Sequence, residues 1–303
     1  MDLDRFRGVF TASVTPFTEN GSIDEEAAGR LMEYYVQNGL KGAFINSSSG
    51  EHFSMTQEQR CRSMCAAAKA DRGRITLLAN VSDDCLKRSE EQADLMAEAG
   101  ADAVVCMPPR FNLYDDEELA SYFTQIADRS PVPVIIYNHM VRLNNKLSVD
   151  FLLRMSEHPN IIGVKDTHND AARLMTLLSR LSGRDDFIVW AGGDGMAGFA
   201  ALMGGYMLNA LSAVDPGLML ALQKAGEEHD VAQVMRLQQQ VNKLLGLFKV
   251  GYPNSNSISG LFQSIKGALS LKGLCGTHTA QLGRELTERD ISNIQKFLDE
   301  ING

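Results

Sequence analysis

Eight times along the 303-residue chain a short apolar run, too brief for a helix, is followed by an amphipathic stretch. The runs are 8–14, 42–45, 75–79, 103–106, 132–137, 161–164, 187–190 and 206–210. They are rich in β-branched and aromatic residues and continuous rather than alternating, the pattern of parallel strands buried on both faces. Strand starts recur at roughly 20–35 residues, the length of one strand-plus-helix unit. Ser22-Ile23-Asp24-Glu25 predicts a capping box at the first helix, and Thr56 with Gln59 predicts another. Gly39, Gly100 and Gly204 stand where helices must end in a left-handed residue before the next strand. No Pro- or Ser-rich linker separates the units. The pattern therefore predicts one α/β TIM (β/α)8 barrel over residues 1–214, with 215–303 as a C-terminal helical extension of the same domain. Within the extension, Tyr252-Pro253-Asn254-Ser255-Asn256-Ser257 is the clear turn-rich break. A doubly wound open sheet is the runner-up, weakened because no Gly-x-Gly-x-x-Gly follows the first strand.

Composition narrows the function classes. With 44% hydrophobic and 22% charged residues the chain can build a large core. A net charge of -9 has the wrong sign for a duplex-binding surface, so nucleic acid is not an expected partner. The charged start Met1-Asp2-Leu3-Asp4-Arg5 does not read as a signal peptide, and no window of 18 uncharged apolar residues predicts a membrane span. Cys61, Cys65, Cys85, Cys106 and Cys275 are odd in number and contain no CxxC pair, which predicts reduced, mostly core thiols in a cytoplasmic protein.

In a barrel, chemistry sits where strands end. There the sequence places Ser47-Ser48-Ser49-Gly50-Glu51, Tyr137-Asn138-His139, Lys165-Asp166, Gly192-Gly193-Asp194 and Asn209. A lysine closing an apolar strand has two readings. It is a desolvated amine suited to carbonyl attack, or a rim lysine paired with Asp166. Tyr137 either shuttles protons beside it or packs its ring into the barrel top. The serine loop offers hydroxyls and N–H groups to a carboxylate, and Arg142 is either a bidentate clamp or solvated.

Together these segments resemble the dihydrodipicolinate synthase/N-acetylneuraminate lyase family. Ser47–Glu51 is similar to its Gly-Thr/Ser-Thr-Gly-Glu loop, Tyr137-Asn138 to its Tyr-Asn-x-Pro strand end, and Gly163-Val164-Lys165-Asp166 to the segment carrying its Schiff-base lysine. Val14-Thr15-Pro16-Phe17 and Ile265-Lys266-Gly267-Ala268-Leu269 match two further signatures, in order, from about residue 8 to 300. The resemblance implies a class I lyase acting on pyruvate or another 2-keto acid. Lys165 forms the imine, Tyr137 is the general acid/base, and Ser48 and Ser49 hold the carboxylate. Asn209 lines the pocket through its main chain, and Arg142 meets a second carboxylate. No metal or organic cofactor is implied, only the covalent imine, and the implied assembly is a homo-oligomer, a dimer or a tetramer of tight dimers.

Two departures stand out. Phe111 of Pro109-Arg110-Phe111-Asn112 replaces the tyrosine that a neighbouring subunit contributes to a proton relay in that family, with Tyr114 nearby, and Met140 replaces the motif proline. They favour an aldolase, or a dehydratase of a 2-keto-3-deoxy sugar acid, over the authentic 4-hydroxy-tetrahydrodipicolinate synthase. Two other classes remain alongside: a metal-dependent enzyme built from Glu51, His139, Asp166 and His168, and a catalytically silent keto-acid sensor. Substrate choice is expected to reside in residues 141–146 and 252–259.

Overall fold

The computed structural model describes residues 3–139, 143–250, 258–280, 282 and 284–302. Eight strands form a closed, all-parallel barrel in sequential order. They are β1 (Val9–Ala12), β2 (Gly42–Ile45), β3 (Thr76–Asn80), β4 (Ala103–Cys106), β5 (Val134–Asn138), β6 (Ile161–Asp166), β7 (Ile188–Ala191) and β8 (Tyr206–Asn209). The helices between them are α1 (Glu25–Gln37), α2 (Gln57–Asp71), α3 (Leu86–Glu98), α4 (Asp116–Arg129), α5 (Val149–Met155), α6 (Ala171–Arg180) and α7 (Ala197–Leu202). After the last strand come α8 (Leu211–Val214), α9 (Pro216–Glu227), α10 (Val231–Leu244), α11 (Leu247–Val250), α12 (Ile258–Leu271) and α13 (Glu288–Asn302). The chain is thus a TIM barrel followed by helices, as the apolar runs predict. No helix among the described residues is long and apolar enough to cross a membrane.

Strand alternation divides the apolar residues into two cores. Phe10, Phe44, Leu78, Val105, Ile135, Ile188, Trp190 and Leu208 fill the barrel, closed below by Leu3 and Phe6. Val9, Ala43, Leu77, Val104, Val134, Val164 and Met207 point outward into the helical ring. Trp190, the one tryptophan, is fully buried inside, edge-on to Phe10 with ring centroids 6.0 Å apart. Gly42 makes room for this packing, since a Cβ there would fall 2.1 Å from the Phe10 ring.

The helix boundaries follow local chemistry. Thr56 and Gln59 form the reciprocal capping box at α2. Gly39, Gly100 and Gly204 adopt the expected positive φ, at 77°, 101° and 81°. The first capping box is corrected. Asp24, not Ser22, caps α1, because its carboxylate accepts from the Ala27 N–H. Ser22 is held before the helix by the antiparallel Phe17–Ile23 bridge and by its carbonyl accepting from Thr18 N–H. The thiols also depart from expectation. All five cysteines are free, but only Cys106 and Cys275 are buried, while Cys61 and Cys85 are half-buried and Cys65 is exposed.

Gly42→Ala should destabilise the barrel by about 1–3 kcal/mol through overpacking against Phe10. The expected observation is a lower urea midpoint with an unchanged m-value.

Candidate active site

At the C-terminal end of the strands a cavity of about 470 Å³ opens. Lys165, Tyr137, Ser48, Ser49, Asn209, Thr167 and Asp194 reach it from the strand ends and their loops, and Phe248 and Phe262 from the helices after β8. Lys165 lies within β6, 3% exposed, with Nζ 4.1 Å from the Tyr137 ring centroid and 5.1 Å from that of Phe44.

Its inward direction depends on an irregularity. Val134 pairs with Ile161 but Ile135 pairs with Gly163, so β6 carries one extra residue, Ile162, opposite β5. Ile162 belongs to the barrel interior and Val164 to the outer core. Regular alternation from Ile162 would have sent Val164 inward and Lys165 out. The bulge reverses the phase and sets Lys165 beside Tyr137 on one side and Trp190 on the other. Gly163 permits this, since a Cβ there would lie 2.4 Å from the Ile188 carbonyl oxygen and 2.7 Å from the Trp190 ring.

The rim pairing of Lys165 with Asp166 does not occur. Asp166 turns the other way and accepts from Arg173 Nη2 (3.1 Å), His168 Nδ1 (2.9 Å) and Asn138 Nδ2 (3.2 Å). Burial pushes its carboxyl up, but these hydrogen bonds and the Arg173 charge outweigh burial and hold it below the usual range.

The serine loop is held by both ends of the chain. Ser47 Oγ donates to the Ser13 carbonyl and accepts from Gly50 N–H, and Thr15 Oγ1 donates to the Gly50 carbonyl at 2.7 Å. Gly50 leaves no room for a side chain, because a Cβ would come within 3.0 Å of Ser13, Ser47 and Thr15 atoms. Glu51 follows with φ at 65°, and its buried carboxylate accepts from Lys266 Nζ, Thr279 Oγ1 and the Ala280 N–H. Lys266, from α12, is fully buried, also donates to the His278 carbonyl at 2.6 Å, and sits 4.8 Å from the Phe17 ring centroid. This anchor was not read from the sequence, although Glu51, Lys266 and Phe17 lie in the quoted motifs.

Two hydroxyls, Ser48 Oγ and Thr167 Oγ1, are buried against the cavity with no partner among the described residues. Thr167 is a second residue the sequence reading missed. A Cβ built on Gly192 would lie 2.1 Å from its Oγ1 and 2.9 Å from Lys165 Cε, so the hydroxyl and the lysine share one corner. Asn209 lines the cavity, and its side-chain carbonyl accepts from Ser212 N–H (3.2 Å) and Oγ (2.5 Å) at the start of α8. Burial pushes the Asp194 carboxyl up to about 7, outweighing the hydrogen bond it accepts from Leu211 N–H at 3.2 Å.

Other expected residues fall elsewhere. Phe111 is 80% exposed and Tyr114 36% exposed on the loop after β4, away from this cavity. Arg142 lies outside the described residues, as do residues 141 and 252–257 of the expected specificity loops. Glu51, His139, Asp166 and His168 do not converge, since Glu51 is bound to Lys266 and Asp166 to Arg173. Among the described residues no group of three His, Cys, Asp or Glu side chains is placed to hold a metal.

A profile of the dihydrodipicolinate synthetase family matches residues 5–287. The chain belongs to that family. It is accordingly an enzyme of the aldolase-type lyases and synthases. The N-acetylneuraminate lyase of Rhizobium meliloti is 28% identical over 96% of this chain and 94% of its own length. The 4-hydroxy-tetrahydrodipicolinate synthase of Laribacter hongkongensis is 32% identical over 83% of this chain and 85% of its own. Among solved structures, the dihydrodipicolinate synthase of Bacteroides thetaiotaomicron superposes with a TM-score of 0.90 at 26% identity, covering 97% of this chain and 98% of that one.

Two predictions follow from the site's electrostatics. Lys266→Met strands a buried carboxylate and should cost about 3–5 kcal/mol. Adding Glu51→Gln should restore part of that loss, read as a non-additive double-mutant cycle in chemical denaturation. For Asp194, the folded carboxyl titrates near 7 against an ordinary 3.8. The native state therefore binds the extra proton between those values, and stability falls as pH rises through that window. Asp194→Asn should flatten the fall in Tm from pH 4 to 7.

Proposed function

We propose that the protein is a class I lyase that makes or breaks the carbon–carbon bond beside pyruvate through an imine on Lys165. The observation that carries this reading is a lysine buried inside the barrel mouth, with Tyr137 paired to it across β5 and β6 and the serine loop on the same cavity. Burial of the amine disfavours its charged form and so favours the neutral one, which attacks a keto carbon. Loss of water gives the imine, whose positive nitrogen draws electrons from the adjacent bond. Removal of a C3 proton yields an enamine, C3 attacks an aldehyde carbon, and water then releases the 4-hydroxy-2-keto acid. Cleavage runs the same steps backwards.

Tyr137 carries protons to and from the reacting oxygen, and the Ser48 and Ser49 hydroxyls with their backbone receive the keto-acid carboxylate. Asn209 shapes the pocket through its main chain. No metal and no organic cofactor enters these steps. Five free thiols fit a cytoplasmic setting. A homo-oligomer is supported by Phe111 and Leu113, 80% and 76% exposed on one loop, an apolar surface suited to a neighbouring copy.

Incubation with pyruvate and sodium borohydride should add a reduced pyruvyl group at Lys165, located by peptide mass. Lys165→Ala should take no label. Tyr137→Phe should lower kcat by roughly 10²–10⁴-fold. An unmodified Lys165 at saturating pyruvate overturns the reading.

A further inference from the structure

The cavity has two chemically different sides. Among the described residues its polar groups come from the strand ends and their loops, where Ser49, His139, Asn169 and Asn209 join Ser48, Tyr137, Lys165, Thr167 and Asp194. Among the described residues, what the segment after α8 contributes to the same cavity is apolar, namely Leu245, Phe248, Leu261 and Phe262, and Met196 extends that surface from the loop after β7. We propose that the aldehyde joined to, or released from, pyruvate carries an apolar aliphatic or aromatic chain, and that this wall is its binding surface. The inference rests on the imine reading of Lys165 and adds the class of second substrate to it.

The argument runs along the bound molecule. The carboxylate belongs at the serine loop and the keto carbon at Lys165. Thr167 Oγ1 shares the Lys165 corner and has no partner among the described residues, so it suits the one hydroxyl that carbon–carbon bond formation creates. Beyond that hydroxyl the chain meets Phe248, Leu261 and Phe262. A polyhydroxylated chain there would lose water without gaining hydrogen bonds, whereas an apolar chain gains from the same burial.

The edge of the wall nearest Asp194 is tied to the strand-end loops. Gln238 of α10 accepts from Gly198 N–H at 2.8 Å and donates to the Asp194 carbonyl at 3.1 Å, tying α10 to the segment that carries Asp194 and Met196. A preformed apolar surface selects its ligand without an ordering cost.

The test uses the intact protein with pyruvate and four aldehydes: butanal, benzaldehyde, D-glyceraldehyde and D-erythrose. The expected result is a kcat/KM at least roughly tenfold higher for butanal and benzaldehyde than for erythrose. Phe248→Asn should lower the benzaldehyde-to-erythrose ratio by about tenfold or more, and Phe248→Leu should largely keep it. Thermal unfolding of both variants confirms that they are folded. A preference of the wild type for the hydroxylated aldehydes, turnover of none of the four, or a ratio unmoved by Phe248→Asn overturns the inference. Borohydride labelling separates the two levels. A labelled Lys165 with any of those outcomes sinks only the substrate class, whereas an unlabelled Lys165 sinks the imine reading beneath it.

Discussion

In a closed parallel barrel every side chain must face either the axis or the helices, and the extra residue in β6 decides which way Lys165 faces. Ile162 and Gly163 both stand on the inner side of the strand, where regular alternation allows one. That is possible only because Gly163 has no side chain to strike Ile188 and Trp190. One irregular pair thus converts a lysine that would have faced the helical ring into one buried beside Tyr137. It also sends Asp166 outward, where Arg173 pairs with it and His168 hydrogen-bonds to it away from the amine. The Lys165 amine is kept clear of the carboxylate next to it in sequence by the backbone geometry.

The second dependency is long-range. The serine loop carries a left-handed Glu51, a conformation that costs energy in a residue with a side chain. It is retained because Glu51 is gripped by Lys266, Thr279 and Ala280, more than 200 residues later. The helices after β8 therefore do more than cover the barrel. They hold the carboxylate loop from one side and supply the apolar wall from the other, so a change in α12 bears on both ends of a bound molecule.

This explains what was legible in the sequence and what was not. Continuous apolar runs and positive-φ glycines are local signals, and they located all eight strands and the turns at Gly39, Gly100 and Gly204. Lys165 and Tyr137 were found because they end such runs. Asp24 displaced Ser22 as the cap because Phe17 and Ile23, six residues apart, pair as a bridge that the helical pattern does not reveal. The Glu51–Lys266 pair and the Thr167 corner depend on chain segments brought together only by closure of the barrel. For the bulge a signal did exist, an isolated glycine inside a strand pattern.

The acidic exterior and the anionic substrate are reconciled at one residue. The net charge of -9 repels keto acids from a distance, but exposed charges are screened within about 10 Å in salt, and the cavity's own groups decide binding. Among the described lining residues Asp194 is the one carboxylic acid, and burial keeps it neutral up to about pH 7. A neutral Asp194 presents no charge to repel an anion in the cavity, and among the described residues the Ser48 and Thr167 hydroxyls have no partner. Asp194 shares this cavity with the apolar side chains of the helices after β8. The helices after β8 and the strand ends therefore act on one enclosure rather than two, since removing Phe248, Leu261 and Phe262 would open to water the cavity that Lys165 and Asp194 share.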